Sequence, residues 1–455
     1  MVYYLHIHCN MIKEVIMIKK LFLFTLLFFC AVLCAKPPKY VFLFIGDGMA
    51  TPQRMIGEEF SRRIGRGNLA INTLPYHGTT RTASANALIT DSAAAATAIA
   101  CGEKTNNGMI GMSPDGKILV SVAEYAHARS KKVGIITSVT LNHATPSGFY
   151  GHRKSRGEYF NLGCDLVNSN FEFFGGGGIA KYAQDGKDVY AMAEAKGYKV
   201  VTGKSGMSTL RPGEKAICLA KSKDSAMPYT IDMDSATPTL AEITGKAIEM
   251  LDNPNGFFIM VEGGAIDWAG HANESAANLF DVLALDDAVK VALKFYAAHP
   301  EETLIIVTGD HETGAMTMGF AGSGYNLKLE LLTNQKCSIG VFHGKLQAAK
   351  KAKKDFSFAD AQKLMSENFG FKFTGSASDP MFIKPAELKM LEKAYNSGKL
   401  PNACRIVMNS KAGIGWNSGS HTALPVLTTS IGCQAEKFTG FFENTDISKR
   451  LKSIL

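Results

Sequence analysis

The stretch 88–98 reads Leu-Ile-Thr-Asp-Ser-Ala-Ala-Ala-Ala-Thr-Ala. Alanine has the highest helix propensity, so the run predicts a helix beginning at the polar triplet. With Thr90 or Asp91 as N-cap, Ser92 falls in the first helical turn, where backbone N–H groups point outward unpaired. That end of a helix carries partial positive charge and holds anions. A serine there is placed to act as a nucleophile, because the dipole favours its alkoxide and any phosphoryl group it carries. Alone, the stretch is an ordinary cap before a buried helix. The rest of the chain supplies residues that a cap does not need.

Carboxylates and imidazoles recur beyond it. Asp47 lies between two glycines, Glu262 and Asp267 follow one apolar run, Asp310 and His311 follow another, and His421 comes after a glycine–serine pair. Asp267 and His271 are four apart, which puts both on one face of a helical turn. Each signal is weak singly: an aspartate between glycines is a common turn, and an Asp–His pair at this spacing is common on surfaces. Together they gather four carboxylates and several histidines, and burying that much charge without cations would be very costly. Carboxylate with imidazole suits zinc, whereas carboxylate with hydroxyl and water suits magnesium. Two such ions about 4 Å apart clamp the attacking and leaving oxygens of an in-line displacement. One would hold Ser92 as alkoxide; the other would stabilise the departing oxygen and then supply hydroxide. Arg156 offers the planar fork suited to a phosphoryl dianion, although a solvated arginine beside Arg153 and Lys154 reads equally well.

These residues can meet only if the elements before them end at one edge. Residues 40–45, 132–138, 256–261 and 303–308 are apolar runs, read as strands buried on both faces. Helical patterns at 121–129, 239–251 and 275–298 precede the last three. Such alternation predicts an α/β fold, a mainly parallel central sheet with helices on both faces, whose ligands bind beyond the carboxyl ends of the strands. From 312 to 416 the chain is richer in Gly, Lys and Asn, with one clear amphipathic helix at 358–368; this segment reads as an insertion. The run Gly175–Gly178 reads as a tight turn, since no Walker pattern surrounds it.

At 455 residues and 46% apolar content, the chain can bury a large core. The net charge is +8, of which Lys13, Glu14, Lys19 and Lys20 contribute +2; the remainder is too mild to argue for nucleic acid. Lys345, Lys350, Lys351, Lys353 and Lys354 read as a solvated helix face. Residues 17–20 form a basic start and 21–32 an unbroken apolar core, the pattern of a cleaved signal peptide and too short for a comfortable membrane span. Residues 1–35 are therefore expected to be a signal peptide with an upstream extension, cleaved near Ala35. The mature chain 36–455 is expected to be exported, periplasmic or secreted, with no stable membrane span. Six of nine cysteines remain in it: Cys101, Cys164, Cys218, Cys337, Cys404 and Cys433. An even count permits disulfides but does not choose among the pairings.

The sequence also resembles a known family. Gly46-Asp47-Gly48-Met49, Thr90-Asp91-Ser92, His143-Ala144-Thr145-Pro146 with His152 and Arg156, Glu262-Gly263-Gly264-Ala265-Ile266-Asp267 with His271, Asp310-His311 and Ser420-His421-Thr422 occur in the order seen in alkaline phosphatases. The match runs from Tyr40 to about Asp446. The resemblance implies that Ser92 is the phosphorylated nucleophile and Arg156 the phosphate clamp. It implies two Zn2+ and one Mg2+ per chain: Asp267, His271 and His421 at the first zinc, Asp47, Asp310 and His311 at the second, and Asp47, Thr145 and Glu262 at magnesium. It implies one alkaline phosphatase domain over 36–455, with a crown-like insertion at 312–416, and a homodimer. His143 and Trp268 occupy positions that vary within the family, near the magnesium and the phosphate respectively. The glycine run lacks the aspartate often found before it, and the insertion is longer than in compact bacterial members.

The activity so implied is hydrolysis of small phosphate monoesters through a phosphoserine. A sulfatase would need Cys- or Ser-x-Pro-x-Arg at the nucleophile, and an esterase Gly-x-Ser-x-Gly; neither is present. The alternatives left are a phosphodiesterase or other hydrolase of the same superfamily, or a catalytically silent exported protein that binds phosphate or metal.

Overall fold

The computed structural model describes residues 36–455, so the expected signal segment lies outside the described residues. Ten strands form the central sheet: β1 (Tyr40–Gly46), β2 (Tyr76–Arg81), β3 (Lys132–Thr137), β4 (Phe173–Gly176), β5 (Tyr198–Thr202), β6 (Lys215–Leu219), β7 (Phe257–Gly263), β8 (Thr303–Gly309), β9 (Val426–Gly432) and β10 (Gly440–Glu443). Their spatial order is β10-β2-β9-β8-β1-β7-β3-β4-β6-β5. Only β9 runs against its neighbours, and every other pairing is parallel.

All seven residues of β1, of β7 and of β8 are buried. Strand side chains alternate between faces, and the core divides accordingly. Phe42 and Phe44 join one hydrophobic cluster, while Val41, Leu43 and Ile45 join the other. Helices therefore cover both faces of the sheet, as an all-apolar central strand requires. The longest, Ser275–Ala298, packs Leu279, Val282, Leu285 and Val289 into the first cluster.

Register then levels the strand ends. Gly46 of β1 lies opposite Gly309 of β8 and Gly263 of β7, and Thr137 of β3 lies opposite Glu262. Asp47, Asp310 and Glu262 consequently reach the same edge from three adjacent strands.

Some local expectations change. The glycine run does not form a free-standing turn: Gly175 and Gly176 end β4 inside the sheet. Gly176 has φ +135, and a Cβ there would lie 1.8 Å from the Thr137 carbonyl oxygen, so only glycine can leave the strand this way. The segment 312–416 holds four helices rather than one: Ile339–Ala352, Phe358–Phe369, Pro385–Asn396 and Leu400–Ala412. The lysine cluster does ride on or just beyond the first of them, with Lys345, Lys351, Lys353 and Lys354 exposed. All six cysteines of the described chain are free thiols. No helix among the described residues is long and apolar enough to cross a membrane.

Candidate active site and metal centre

Helix α1 (Ser92–Cys101) starts where the sequence places it, with Asp91 as N-cap accepting from the Ala94 N–H at 2.9 Å. Asp91 has a second task that the sequence did not reveal. Its Oδ2 accepts from Arg156 Nη1 at 3.0 Å and from the Gly108 N–H at 3.0 Å. One carboxylate thus fixes both the helix start that presents Ser92 and the guanidinium that faces it. Ser92 itself is buried, with Oγ 3.2 Å from His311 Nε2.

His311 Nε2 is the meeting point of a first cluster. Asp47 Oδ1 lies 3.4 Å from it and Asp310 Oδ2 3.3 Å from it, and neither carboxylate oxygen has a hydrogen-bond partner. The other oxygen of Asp310 is held by the N–H groups of Gly48 at 3.1 Å and His311 at 2.8 Å. Gly48 makes that contact at φ +71, where a Cβ would fall 2.8 Å from Asp267 Cα. Burial, reinforced by the neighbouring carboxylates, pushes the acids of Asp47 and Asp310 well above the ordinary range. Burial, followed by the neighbouring His421, Arg156 and His271, pushes His311 well below its own, so the imidazole is neutral. Two unpartnered buried carboxylate oxygens and a neutral imidazole make a donor set that lacks only a cation.

The second cluster shows the same need more directly. His271 and Asp267 lie on the short helix α2 (Ala265–His271), and His421 arrives on the two-residue strand His421–Thr422. His271 Nδ1 is 2.8 Å from the Gly419 carbonyl oxygen and His421 Nδ1 is 2.8 Å from that of Thr90. A carbonyl only accepts, so each Nδ1 carries the proton and each Nε2 a lone pair. Those two Nε2 atoms face one another at 3.1 Å, with the Asp267 carboxylate 3.4 Å and 3.5 Å away. Lone pairs so placed repel unless a cation lies between them. Backbone carbonyls that fix the tautomer of an imidazole in this way are the usual outer support of a metal site. The His311 ring stacks on His421 at 3.6 Å, which joins the two clusters.

A third group gathers Asp47, Glu262 and His143, all buried. Thr145 Oγ1 donates to Asp47 Oδ2 at 3.4 Å, and Thr137 donates to Glu262 Oε2, leaving Glu262 Oε1 unpartnered. Burial raises the Glu262 acid to about 7. His143 Nε2 lies 3.3 Å from Arg156 Nη2. Arginine only donates, so His143 accepts at Nε2 and keeps its proton on Nδ1. Burial first, and then Arg156, lowers its pKa to about 3, so the ring stays neutral. The Trp268 ring stands edge-on to His143 at 5.9 Å.

All twelve residues singled out in the sequence therefore lie in or beside one constellation. His152 does not: it bridges Glu124 at 2.9 Å and the Gly111 carbonyl at 2.9 Å, away from it. Sequence reasoning missed the support behind the ligands. Thr313 donates to Asp267, Gln53 donates to Glu312 at 2.7 Å, and Thr422 donates to the other oxygen of Glu312. The strand holding His421 is thereby tied to Glu312, next to His311. The Glu312-Thr313 pair directly after Asp310-His311 was the available signal.

Clustered carboxylates and imidazoles at the carboxyl edge of a mostly parallel sheet define a metal-dependent α/β enzyme. The family described as alkaline phosphatase matches residues 38–170 and 178–455. The chain is 31% identical over 377 residues to alkaline phosphatase 4 of Bacillus subtilis, covering 81% of this chain and 77% of that protein. Its fold is similar to that of a cold-active alkaline phosphatase from Shewanella sp. (TM-score 0.80, 28% identity, 91% of this chain and 99% of that one). It is also similar to a variant of the enzyme from the Antarctic bacterium TAB5, described with Mg bound in its M3 site (TM-score 0.67, 26% identity, 92% and 98%). The chain belongs to the alkaline phosphatase family, whose members are metal-dependent phosphatases.

Proposed function

We propose that the protein hydrolyses phosphate monoesters through a phosphoserine formed on Ser92, with two Zn2+ and one Mg2+ per chain. The observation that carries the reading is the convergence of Ser92 Oγ and the unpartnered oxygens of Asp47 and Asp310 on His311 Nε2. Asp267, His271 and His421 would hold the first zinc, and Asp47, Asp310 and His311 the second. Imidazole with carboxylate is the donor chemistry that zinc prefers. Asp47, Thr145 and Glu262, all oxygen donors, would hold magnesium. His143, protonated at Nδ1, would donate a hydrogen bond there rather than ligate.

When bound, these ions supply a stabilised serine alkoxide, charge neutralisation at phosphorus and an activated water. The remaining work belongs to the chain. The start of α1 turns its unpaired N–H groups and positive dipole toward the group that Ser92 receives. Arg156, anchored through Nη1 to Asp91 and through Nη2 to His143, keeps its remaining N–H donors for the phosphoryl oxygens. Asp91 spares that guanidinium a search of rotamers, so the clamp is preorganised. Export and the family's homodimeric assembly extend the proposal. Leu88, Ile89 and Leu424 leave apolar side chains exposed that a second subunit could cover.

The test is metal analysis of the purified protein alongside hydrolysis of an aryl phosphate monoester and the matching diester. Monoester turnover that a chelator abolishes, and that zinc with magnesium restores, is the expected result. Preference for the diester would transfer the protein to the phosphodiesterase reading, and absence of turnover would make it a binding protein.

A further inference from the structure

Trp268 lines a pocket of about 450 Å3. Trp268 follows Asp267 on α2, and its ring is 5.9 Å from His143, which in turn touches Arg156. The indole thus borders both the phosphoryl site and this pocket. Opposite walls come from Met227, Pro228 and Tyr229 of the loop after β6, and from Val341 of the insertion helix Ile339–Ala352. Val341 is 40% exposed although it sits in the first turn of that helix, so it presents an apolar surface to the opening.

The walls are fixed in place. The Ser338 N–H donates to Asp232 at 2.8 Å and the Ile339 N–H donates to Glu274 at 2.8 Å, pinning the start of the insertion helix to the core. Burial and the neighbouring carboxylates Glu274, Asp281 and Asp267 keep the Tyr229 hydroxyl protonated. The charge of the pocket excludes some occupants. Its one cation, Lys221, is already paired with Asp234 at 2.7 Å, and Asp232 adds a carboxylate to the lining. A second phosphate, or any anionic group, would meet negative charge there with no free partner. A flat apolar group would meet two aromatic side chains and an aliphatic wall.

We propose that this pocket receives the alcohol portion of the monoester and selects neutral, flat, apolar leaving groups of the aryl and benzyl class. The inference rests on the phosphomonoesterase reading of the neighbouring site.

The experiment compares benzyl phosphate with ethyl phosphate, whose alcohols are of similar acidity, and with a short alkyl bisphosphate as the anionic arm. Burying the ring against these walls predicts a kcat/KM for benzyl phosphate at least about tenfold above that for ethyl phosphate. The gain should appear in KM rather than kcat, because the ring is held equally in ground and transition states. Bisphosphate should be the poorest of the three. Tyr229→Ser and Val341→Asp should each shrink the benzyl preference several-fold, while Tyr229→Phe keeps it. Inhibition by inorganic phosphate in the same samples reports the clamp and confirms folding. Equal kcat/KM for benzyl and ethyl phosphate, or a preference unchanged in both Tyr229→Ser and Val341→Asp, would overturn the pocket assignment and leave the phosphatase reading standing. Failure to hydrolyse any of the three would instead remove the reading on which it rests.

Discussion

Asp281 is a buried acid on the long helix Ser275–Ala298, outside the metal clusters. Its Oδ1 accepts from Thr230 Oγ1 at 2.9 Å, but Oδ2 has no partner and the residue lines a cavity of about 100 Å3 walled by Met227, Phe280 and Leu240. Desolvation raises its pKa from 3.8 to about 7, more than the Thr230 hydrogen bonds lower it. A native pKa above the unfolded one means that the folded state favours the protonated acid. No penalty exists below pH 4; stability falls as pH rises from about 4 to 7, and the full cost persists above that. A shift of about three units corresponds to roughly 4 kcal/mol at most. Asp281→Asn keeps the acceptor for Thr230 and removes the charge, but places an unpaired amide donor in the cavity at a cost of about 1–3 kcal/mol. The variant should therefore gain on the order of 2 kcal/mol over the parent at pH 9 and lose about 1–3 kcal/mol against it at pH 4. Denaturant unfolding at both values with metals held saturating measures this. A variant destabilised by the same amount at both would show that Asp281 is not an ionised buried acid above pH 7.

Three further outcomes follow from the site. Metal binding to the stripped protein should release protons at pH 6, because burial raises the Glu262 acid to about 7 without a cation and pushes those of Asp47 and Asp310 in the same direction. Affinity should rise up to about tenfold per proton per pH unit, and calorimetry in two buffers of different ionisation enthalpy counts the protons; pH-independent affinity between 5.5 and 7 would contradict the proposed ligand set. His421→Ala and Asp267→Ala should each lower zinc content by about one ion per chain, read by metal analysis; unchanged stoichiometry in both would misplace the first zinc. Trp268→Lys should tighten inhibition by inorganic phosphate by roughly tenfold and lower the maximal rate where product release limits it. A product-inhibition series checks this, and an unchanged inhibition constant would mean that position 268 does not reach the phosphate.

Much of the site was legible because its carboxylates follow strands whose apolar runs are unbroken. Once β1, β7 and β8 are recognised as parallel, Asp47, Glu262 and Asp310 must share an edge, and the observed register delivers that. The cap at Asp91 and the Asp267–His271 turn were equally local signals. The strands β2 and β9, on one flank of the sheet, were not legible, because they bury hydroxyls instead of hydrocarbon. Thr428 of β9 hydrogen-bonds to Thr80 of β2 at 2.7 Å and to Thr308 of β8 at 2.7 Å, so polar residues satisfy one another inside the sheet. Sequence pattern cannot distinguish such a ladder from a loop. The glycine run misled for a related reason: small residues in β4 allow close backbone approach, which looks in sequence like a turn. Arg156 was ambiguous until Asp91, 65 residues earlier, was seen to hold it.

The central claim is that Ser92 Oγ attacks phosphorus. Brief reaction with a phosphorus-labelled aryl monoester at mildly acidic pH, quenching and peptide mapping tests it most directly. One labelled phosphoserine at Ser92, absent from Ser92→Ala and from enzyme stripped of metal, is the predicted result. Label on another residue, or steady turnover by Ser92→Ala at the parent rate, would contradict it.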